Sequence, residues 1–460
     1  MTSAHMTPEP LLASTVRKLA YAVAAAQAMG RAPSLVASVA RAGEPVWFGS
    51  RGSVHAAEPT ADTQYRIGSI TKTFVAVLLM RLRDQGRLDL ADPFDRHLPG
   101  LLPPEITVAQ LLSHTSGLAT ETPPPWWERV AGVVRPKLEN LLWSEPLRHP
   151  TGRRWHYSNS GFALAGALVE RLYGASWDDV VRTELLEPLG MTRTSLMPQP
   201  PHARGWAVHP WADVALPEPA LDLELMAPAG QLWSTTTDLT IWAALLAGLH
   251  PGVLCASTAA EMREPASGSP DGVSGYGLGL MLQRTPTAEL YGHVGTMPGF
   301  LAALWVDPAQ SLSAVVYANA TYGPDIPGLA VELLRIVAAD EPVMPEPWVA
   351  QDGIDDDLLA LTGLWYRGAM PLIAHARSGG GLRFTVAHSA EVVADLRRDG
   401  RGWIVTTPGY YHGELLTVMR GSDGMPTHLD LGSVVIYREP YEPGHIVPGG
   451  RDDDGWQLPT

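Results

Sequence analysis

Leucines and valines near the start of the chain recur at Leu12, Val16, Leu19 and Val23, intervals of four, three and four that line one face of a helix. The stretch PSLVASVARAGEPVWFGSRG, residues 33–52, then reads as two strands joined at Gly43, a hairpin. A helix beginning at Ser69 is apolar on every side from Phe74 to Met80 before Gly86 ends it. It is expected to be central and buried, with only its first turn reaching a cleft.

Between residues 105 and 265 the pattern is helical with Pro-rich loops, including TVAQLLSH, SGFALAGALVERLYG and TTTDLTIWAALLAGL, the last opened by a Thr235/Asp238 capping pattern. Strand-like runs return at YGLGLML, FLAALWV and LSAVVYANA, followed by the helix PGLAVELLRIVAADE. Strands at both ends with helices between predict one α/β (α+β) domain, residues 1–340, whose hairpin and late strands share an antiparallel sheet. The Pro- and Asp-rich segment 341–357 reads as a linker. Short alternating runs separated by Gly and Asp predict a small all-β barrel domain at 358–440, and 441–460 reads as a disordered tail. There is no internal repeat at solenoid spacing.

Composition narrows the function classes. A formal charge of −15 argues against a nucleic-acid or anionic-membrane partner, which would want a basic face. Cys255 stands alone, which excludes an internal disulfide and a thiolate metal cluster, and the 15 histidines lack paired metal spacing. No metal or other cofactor is expected. Arg17 and Lys18 precede the apolar LAYAVAAAQA, but the one-faced helical spacing and Glu9 favour a folded helix over an export signal. No stretch is long enough for a membrane span, and a cytoplasmic location is expected.

Of the 33 basic residues only Lys18, Lys72 and Lys137 are lysines. Arginine is the default cation of this chain, so Lys72, three places after Ser69 in YRIGSITKTF, stands out as a cation that must be able to lose its proton. Ser69 at a helix start lies in a field that favours negative charge, and a desolvated Lys72 one turn on would take its proton. In HYSNSGFALAG, Tyr157 is placed to relay a proton between nucleophile and leaving group when the lysine lowers its pKa, and Asn159 to hold the lysine or a substrate amide. In YGHVGTMPGF, Gly295 removes a side chain so that an acyl group can lie along a strand. The Thr296 N–H, with that of Ser69, forms an oxyanion hole, and His293 is a wall or a proton donor. The Pro-rich TPPPWWERV reads as a lid carrying Trp126 and Trp127 as acyl-pocket walls, or as tryptophans anchoring a long loop.

These motifs in this order, with LLSHTSGL, GQLWSTTTDL and YGLGL, resemble the penicillin-recognising serine hydrolases over roughly residues 10–340. That resemblance implies a serine β-lactamase-like domain with a helical subdomain. It also implies Ser69 as nucleophile, Lys72 and Tyr157 as the base system, Asn159 as orienting amide, and the Ser69 and Thr296 N–H groups as oxyanion hole. The C-terminal module is similar to lipocalin-like barrels appended to some of these enzymes. Many β-lactamases and DD-peptidases carry lysine where this chain has His293, which argues against efficient β-lactam hydrolysis.

The layout is closest to the stand-alone penicillin-binding-protein-type thioesterases, which release and cyclise a nonribosomal peptide from a carrier-protein thioester. The expected substrate is therefore a peptide-like acyl group, with a carrier domain as partner. The alternatives are a carboxylesterase or D-amino-acid amidase, then a true β-lactamase or a non-catalytic binding protein.

Overall fold

The computed structural model describes residues 10–440 except 269–272, 345–346, 349–352, 354, 378, 401, 408 and 433, together with 451–452 and 455–456. It divides into two compact units, Met1–Met344 and Pro345–Thr460.

The first unit is built on an eight-stranded sheet. Helix α1 (Ala13–Gly30) leads into β1 (Ser34–Arg41) and β2 (Glu44–Gly52), joined at Gly43, whose φ of 84° supplies the left-handed turn. The helix α2 (Thr71–Asp84) follows a 3₁₀ turn at Gly68–Ile70, so Ser69 sits in that turn rather than at the first position of the α-helix. Every residue of α2 from Thr71 to Met80 is buried. Helices α3 (Asn159–Tyr173) and α4 (Thr236–Leu246) belong to the helical region. The late strands are β3 (Ser267–Gly268), β4 (Ser274–Tyr276), β5 (Met281–Arg284), β6 (Glu289–Met297), β7 (Phe300–Asp307) and β8 (Leu312–Ala318), followed by α5 (Ile326–Asp340).

All pairings are antiparallel, in the order β2-β1-β8-β7-β6-β5-β4-β3, so hairpin and late strands do share one sheet through β1 and β8. Strand alternation sends Leu35, Ala37 and Val39 to one face, where they meet Leu19 and Val23 of α1 and Leu333 and Val337 of α5. Val36, Leu304 and Val315 turn to the other face and join Phe74, Leu78 and Phe162 in the larger core.

Two local expectations need correction. Helix α1 buries Thr15, Leu19 and Val23, while Leu12, which precedes the helix, and Val16 are exposed at 57% and 39%. Leu19 and Val23 of the predicted stripe do face the core, and Thr15 rather than Leu12 or Val16 completes the buried face. YGLGLML is not one strand: β4 ends at Tyr276, the chain reverses with Gly279 at φ 76°, and β5 begins at Met281.

In the second unit a short helix, Asp356–Leu361, capped by Asp355, begins inside the segment expected to be linker. Eight strands from Gly363 to Tyr437 close into an antiparallel barrel, the all-β domain expected from the sequence. Its core holds Trp365, fully buried, with its indole N–H donating to the Leu361 carbonyl at 2.7 Å. Of 441–460, only 451–452 and 455–456 are described, as a short antiparallel pair; the rest of the predicted tail lies outside the described residues. Among the described residues no helix is long and apolar enough to cross a membrane.

Candidate active site

Two glycines bring the Ser69 turn against β6. A Cβ on Gly68, which holds φ 53°, would lie 2.7 Å from the Thr296 nitrogen, and one on Gly295 would lie 1.9 Å from the Ile67 carbonyl oxygen and 3.1 Å from the Ser69 nitrogen. Backbone therefore packs on backbone. Gly295 lacks a side chain so that the serine turn can sit there, a different reason from the acyl passage expected from sequence.

The two-residue turn after Met297 pairs Met297 with Phe300. Alternation along an antiparallel ladder then aims the Thr296 N–H away from β7, toward the side where β5 no longer follows. The exposed Thr296 and the Ser69 turn thus bring two amide donors to one place.

Lys72 is fully buried, and its ammonium nitrogen lies 3.0 Å from Ser69 Oγ, 2.8 Å from Asn159 Oδ1 and 2.5 Å from the Ala229 carbonyl oxygen. The Tyr157 ring stands 4.9 Å away. Burial lowers the Lys72 pKa to about 7, against the opposing pull of Glu121 and Glu128. Burial pushes the Tyr157 phenol up from its ordinary value, opposed by a hydrogen bond with Ser69. This reverses the expectation that lysine would lower it, and at neutral pH Tyr157 is a proton-bearing phenol.

Asn159 opens α3, but the helix cap is Ser158, whose hydroxyl accepts from the Gly161 N–H at 3.0 Å. This leaves the Asn159 amide free to span from Lys72 to Glu121, donating to Glu121 Oε1 at 2.8 Å. Of the two uses expected for Asn159, the structure places it on the lysine.

His293 is buried and both ring nitrogens are engaged. Nδ1 donates to the Val294 carbonyl at 2.6 Å and Nε2 accepts from the Tyr276 hydroxyl at 3.0 Å. Burial and the Lys72 charge depress its pKa to about 3, so it is neutral and forms a wall.

The tryptophan pair separates. Trp127 is buried among Leu223, Met226 and Met297 and donates to Glu121 Oε2 at 2.6 Å, whereas Trp126 is 58% exposed under the Arg129 guanidinium.

Sequence reasoning gave no role to Glu121, His114 or Tyr276. Glu121 joins Asn159 to Trp127, and so ties the loop to the lysine. The His114 Nδ1 accepts the Ser158 N–H at 3.0 Å and its ring lies 4.1 Å from that of Tyr157 and 4.7 Å from that of Tyr276. LLSHTSGL and YGLGL had marked two of these residues; nothing in the chain marked Glu121. Among the described residues no group of three or more His, Cys, Asp or Glu is arranged to hold a metal ion.

A serine turn on an antiparallel strand, with a buried lysine, a tyrosine and two amide donors, defines a class, and the chain belongs to it: the family model described as Beta-lactamase matches residues 19–338. This is the family of penicillin-binding-protein-like serine hydrolases. Residues 354–438 match a model described as Domain of unknown function (DUF7586).

Among particular proteins, the chain is 29% identical to Penicillin-binding protein 4 of Amycolatopsis lactamdurans, over 56% of this chain and 73% of that one. It spans about half of further curated relatives, 48% and 54% of their lengths. It is similar to the crystal structure of a D-stereospecific amidohydrolase from Streptomyces sp., at 28% identity and TM-score 0.57, covering 74% of this chain and all of that one. The crystal structure of SurE, at 25% identity and TM-score 0.56, covers 93% of this chain and 99% of its own.

Proposed function

We propose that the protein is a serine acyltransferase that releases and cyclises a peptide-like acyl group from a carrier-bound thioester. The observation that carries the chemistry is the Ser69 hydroxyl held between a desolvated Lys72 and the Tyr157 phenol. Neutral Lys72 takes the Ser69 proton as Oγ attacks the acyl carbonyl, and the Ser69 and Thr296 N–H groups hold the oxyanion. Tyr157 gives its proton to the departing thiol and, left as phenolate, takes one from the attacking amine, while the Lys72 ammonium returns its proton to Ser69 Oγ as the acyl group departs. The acyl-enzyme then passes its acyl group to an amine of the same peptide.

No cation stands ready for a substrate carboxylate at the β6 position, because His293 is neutral and doubly engaged. That weighs against β-lactams. The pairing of this hydrolase unit with a closed barrel supports the thioesterase reading, through the resemblance stated above. A carrier domain as partner and a cytoplasmic location belong to the same proposal. The similarity of the first unit to a D-stereospecific amidohydrolase favours a second reading, a D-amino-acid amidase.

Mass spectrometry of products from peptidyl thioesters ending in a D- or L-residue, run beside D-amino-acid amides, separates them. A product lighter than the linear acid by one water is expected. Linear acid alone, or turnover of the amides only, would move the assignment to the amidase.

A further inference from the structure

Tyr157 stands on a stretch, residues 155–158, that belongs to no helix or strand, so no regular ladder fixes its backbone. The stretch is tied instead to the loop that follows the short helix Val108–Leu112, and most directly to His114. The His156 N–H donates to the His114 carbonyl at 2.7 Å, and the Ser158 N–H donates to His114 Nδ1 at 3.0 Å. One residue thus holds both neighbours of the tyrosine. Its ring also lies against the Tyr157 ring, with centroids 4.1 Å apart and planes tilted by 36°. The next ties along the chain, Ser158 Oγ to the Ala119 carbonyl at 2.7 Å and the Asn159 N–H to that of Thr120 at 2.8 Å, secure the start of α3.

His114 holds this place against two costs. It is buried, and its φ of 57° lies in the left-handed region that residues with a side chain rarely adopt. Burial, helped by the Lys72 charge, holds its pKa well below the usual histidine range, so the ring is neutral. Accepting at Nδ1 then leaves the proton on Nε2, which meets no hydrogen-bond partner among the described residues. A residue that only filled the space would avoid both costs, since glycine suits the backbone and an aliphatic side chain strands no proton. Histidine adds an acceptor for Ser158 and a flat face for Tyr157 on one side chain.

We propose that His114 is the positioning residue of the proton donor: by clamping residues 156 and 158 and backing the ring between them, it aims the Tyr157 hydroxyl at the departing atom of the substrate. His114 moves no proton itself. As the bond from acyl carbon to leaving atom breaks, Tyr157 supplies the proton and His114 fixes the direction from which it comes. A displacement of about 1 Å at such a donor is enough to cost on the order of 100-fold in rate. The inference deepens the proposed function and rests on Tyr157 serving the leaving group.

The test compares two esters of one peptidyl acyl group, with 4-nitrophenol, which leaves as an anion and needs no proton, and with ethanol, which must be protonated as it leaves. Tyr157→Phe is the reference: kcat/KM should fall by about 100-fold or more for the ethyl ester and by about threefold at most for the nitrophenyl ester. His114→Gly, which suits the backbone at φ 57° but has neither acceptor nor ring, should show the same selective loss. His114→Asn keeps an acceptor near the Nδ1 position and tolerates that backbone, and should regain at least about tenfold on the ethyl ester. Both esters are read on one preparation, so partial unfolding lowers the two rates alike and leaves their ratio unchanged.

A His114→Gly enzyme whose ratio stays at the wild-type value, or a His114→Asn enzyme no better than it, would overturn the inference. Where Tyr157→Phe is selective and His114→Gly is not, the inference fails while Tyr157 keeps its place in the proposed function. Where Tyr157→Phe itself spares the ethyl ester, the leaving-group role fails and the inference with it. The cyclase reading fails separately, by thioester turnover that yields no cyclic product in the wild type.

Discussion

Lys72 is where sequence scarcity and structural burial meet. A chain that uses arginine almost throughout keeps lysine at a fully buried position, where desolvation brings it to about 7. The amine must be neutral to take the Ser69 proton, so kcat/KM for a neutral ester should rise with pH through about 7. Lys72→Arg should be as damaging as Lys72→Ala, since a guanidinium keeps its proton; an arginine variant with most of its activity would reduce the lysine to an electrostatic helper. Glu121 raises the Lys72 pKa, so Glu121→Gln should move that acid limb to lower pH, and an unmoved limb would remove Glu121 from the network.

The same burial has a stability consequence. Between about 7 and 10.5 native Lys72 is neutral while unfolded lysine is charged, so the unfolded state binds more protons and stability rises with pH. The slope is about 1.4 kcal/mol per pH unit, and below the window the lysine destabilises the fold in full. Lys72→Met should therefore melt at higher temperature than the wild type at neutral pH, with the gap closing toward pH 10.5. Ser69 with Lys72, and Tyr157 with Asn159, were legible in sequence because each pair forms a short local motif. Glu121 was not, because its meaning is a contact with Asn159, 38 residues away, made by a loop with no periodicity.

At the scale of elements, the active site is a contact between a turn and a strand. Hydrophobic period revealed α2, the hairpin and the late strands, since each buries a regular set of side chains. It did not reveal the break in YGLGLML, where glycine conformation rather than apolar pattern ends the strand at Tyr276. It gave only part of the buried face of α1: Leu19 and Val23 turn inward as expected, but Thr15 rather than Leu12 or Val16 completes the face.

The glycines were visible but their reason was not. A Cβ at Gly295 would sit 1.9 Å from the Ile67 carbonyl oxygen, so Gly295→Ala must push the serine turn off the strand and pull the two amide donors apart. The rate of acylation should fall by about 100-fold or more, with the fold retained by circular dichroism. A Gly295→Ala enzyme that acylates at the wild-type rate would show that the oxyanion site lies elsewhere.

Across the whole molecule the chain builds separate cores, those of the sheet and helices in the first unit and that of the closed barrel in the second. Both were foreshadowed by composition: long helical periods in the first, short alternating runs punctuated by glycine in the second. Trp365 anchors the barrel through its indole hydrogen bond and the Arg438 guanidinium 3.8 Å from its ring. Trp365→Ala should cost about 3–5 kcal/mol in the barrel's unfolding, read by calorimetry, while Ser69 labelling persists. What the sequence could not reach was the acidic surround of Lys72, because Glu121 and Glu128 look like ordinary surface residues until the fold gathers them.

The most direct test of the account is the pH dependence of covalent labelling of Ser69 by a fluorophosphonate, followed by intact-protein mass spectrometry. The wild type should gain one adduct, on the peptide containing Ser69, at a rate that climbs through about pH 7, and Ser69→Ala should gain none. Equal labelling of Ser69→Ala, or a rate that stays flat between about pH 5 and about pH 9, would contradict a serine activated by a desolvated lysine.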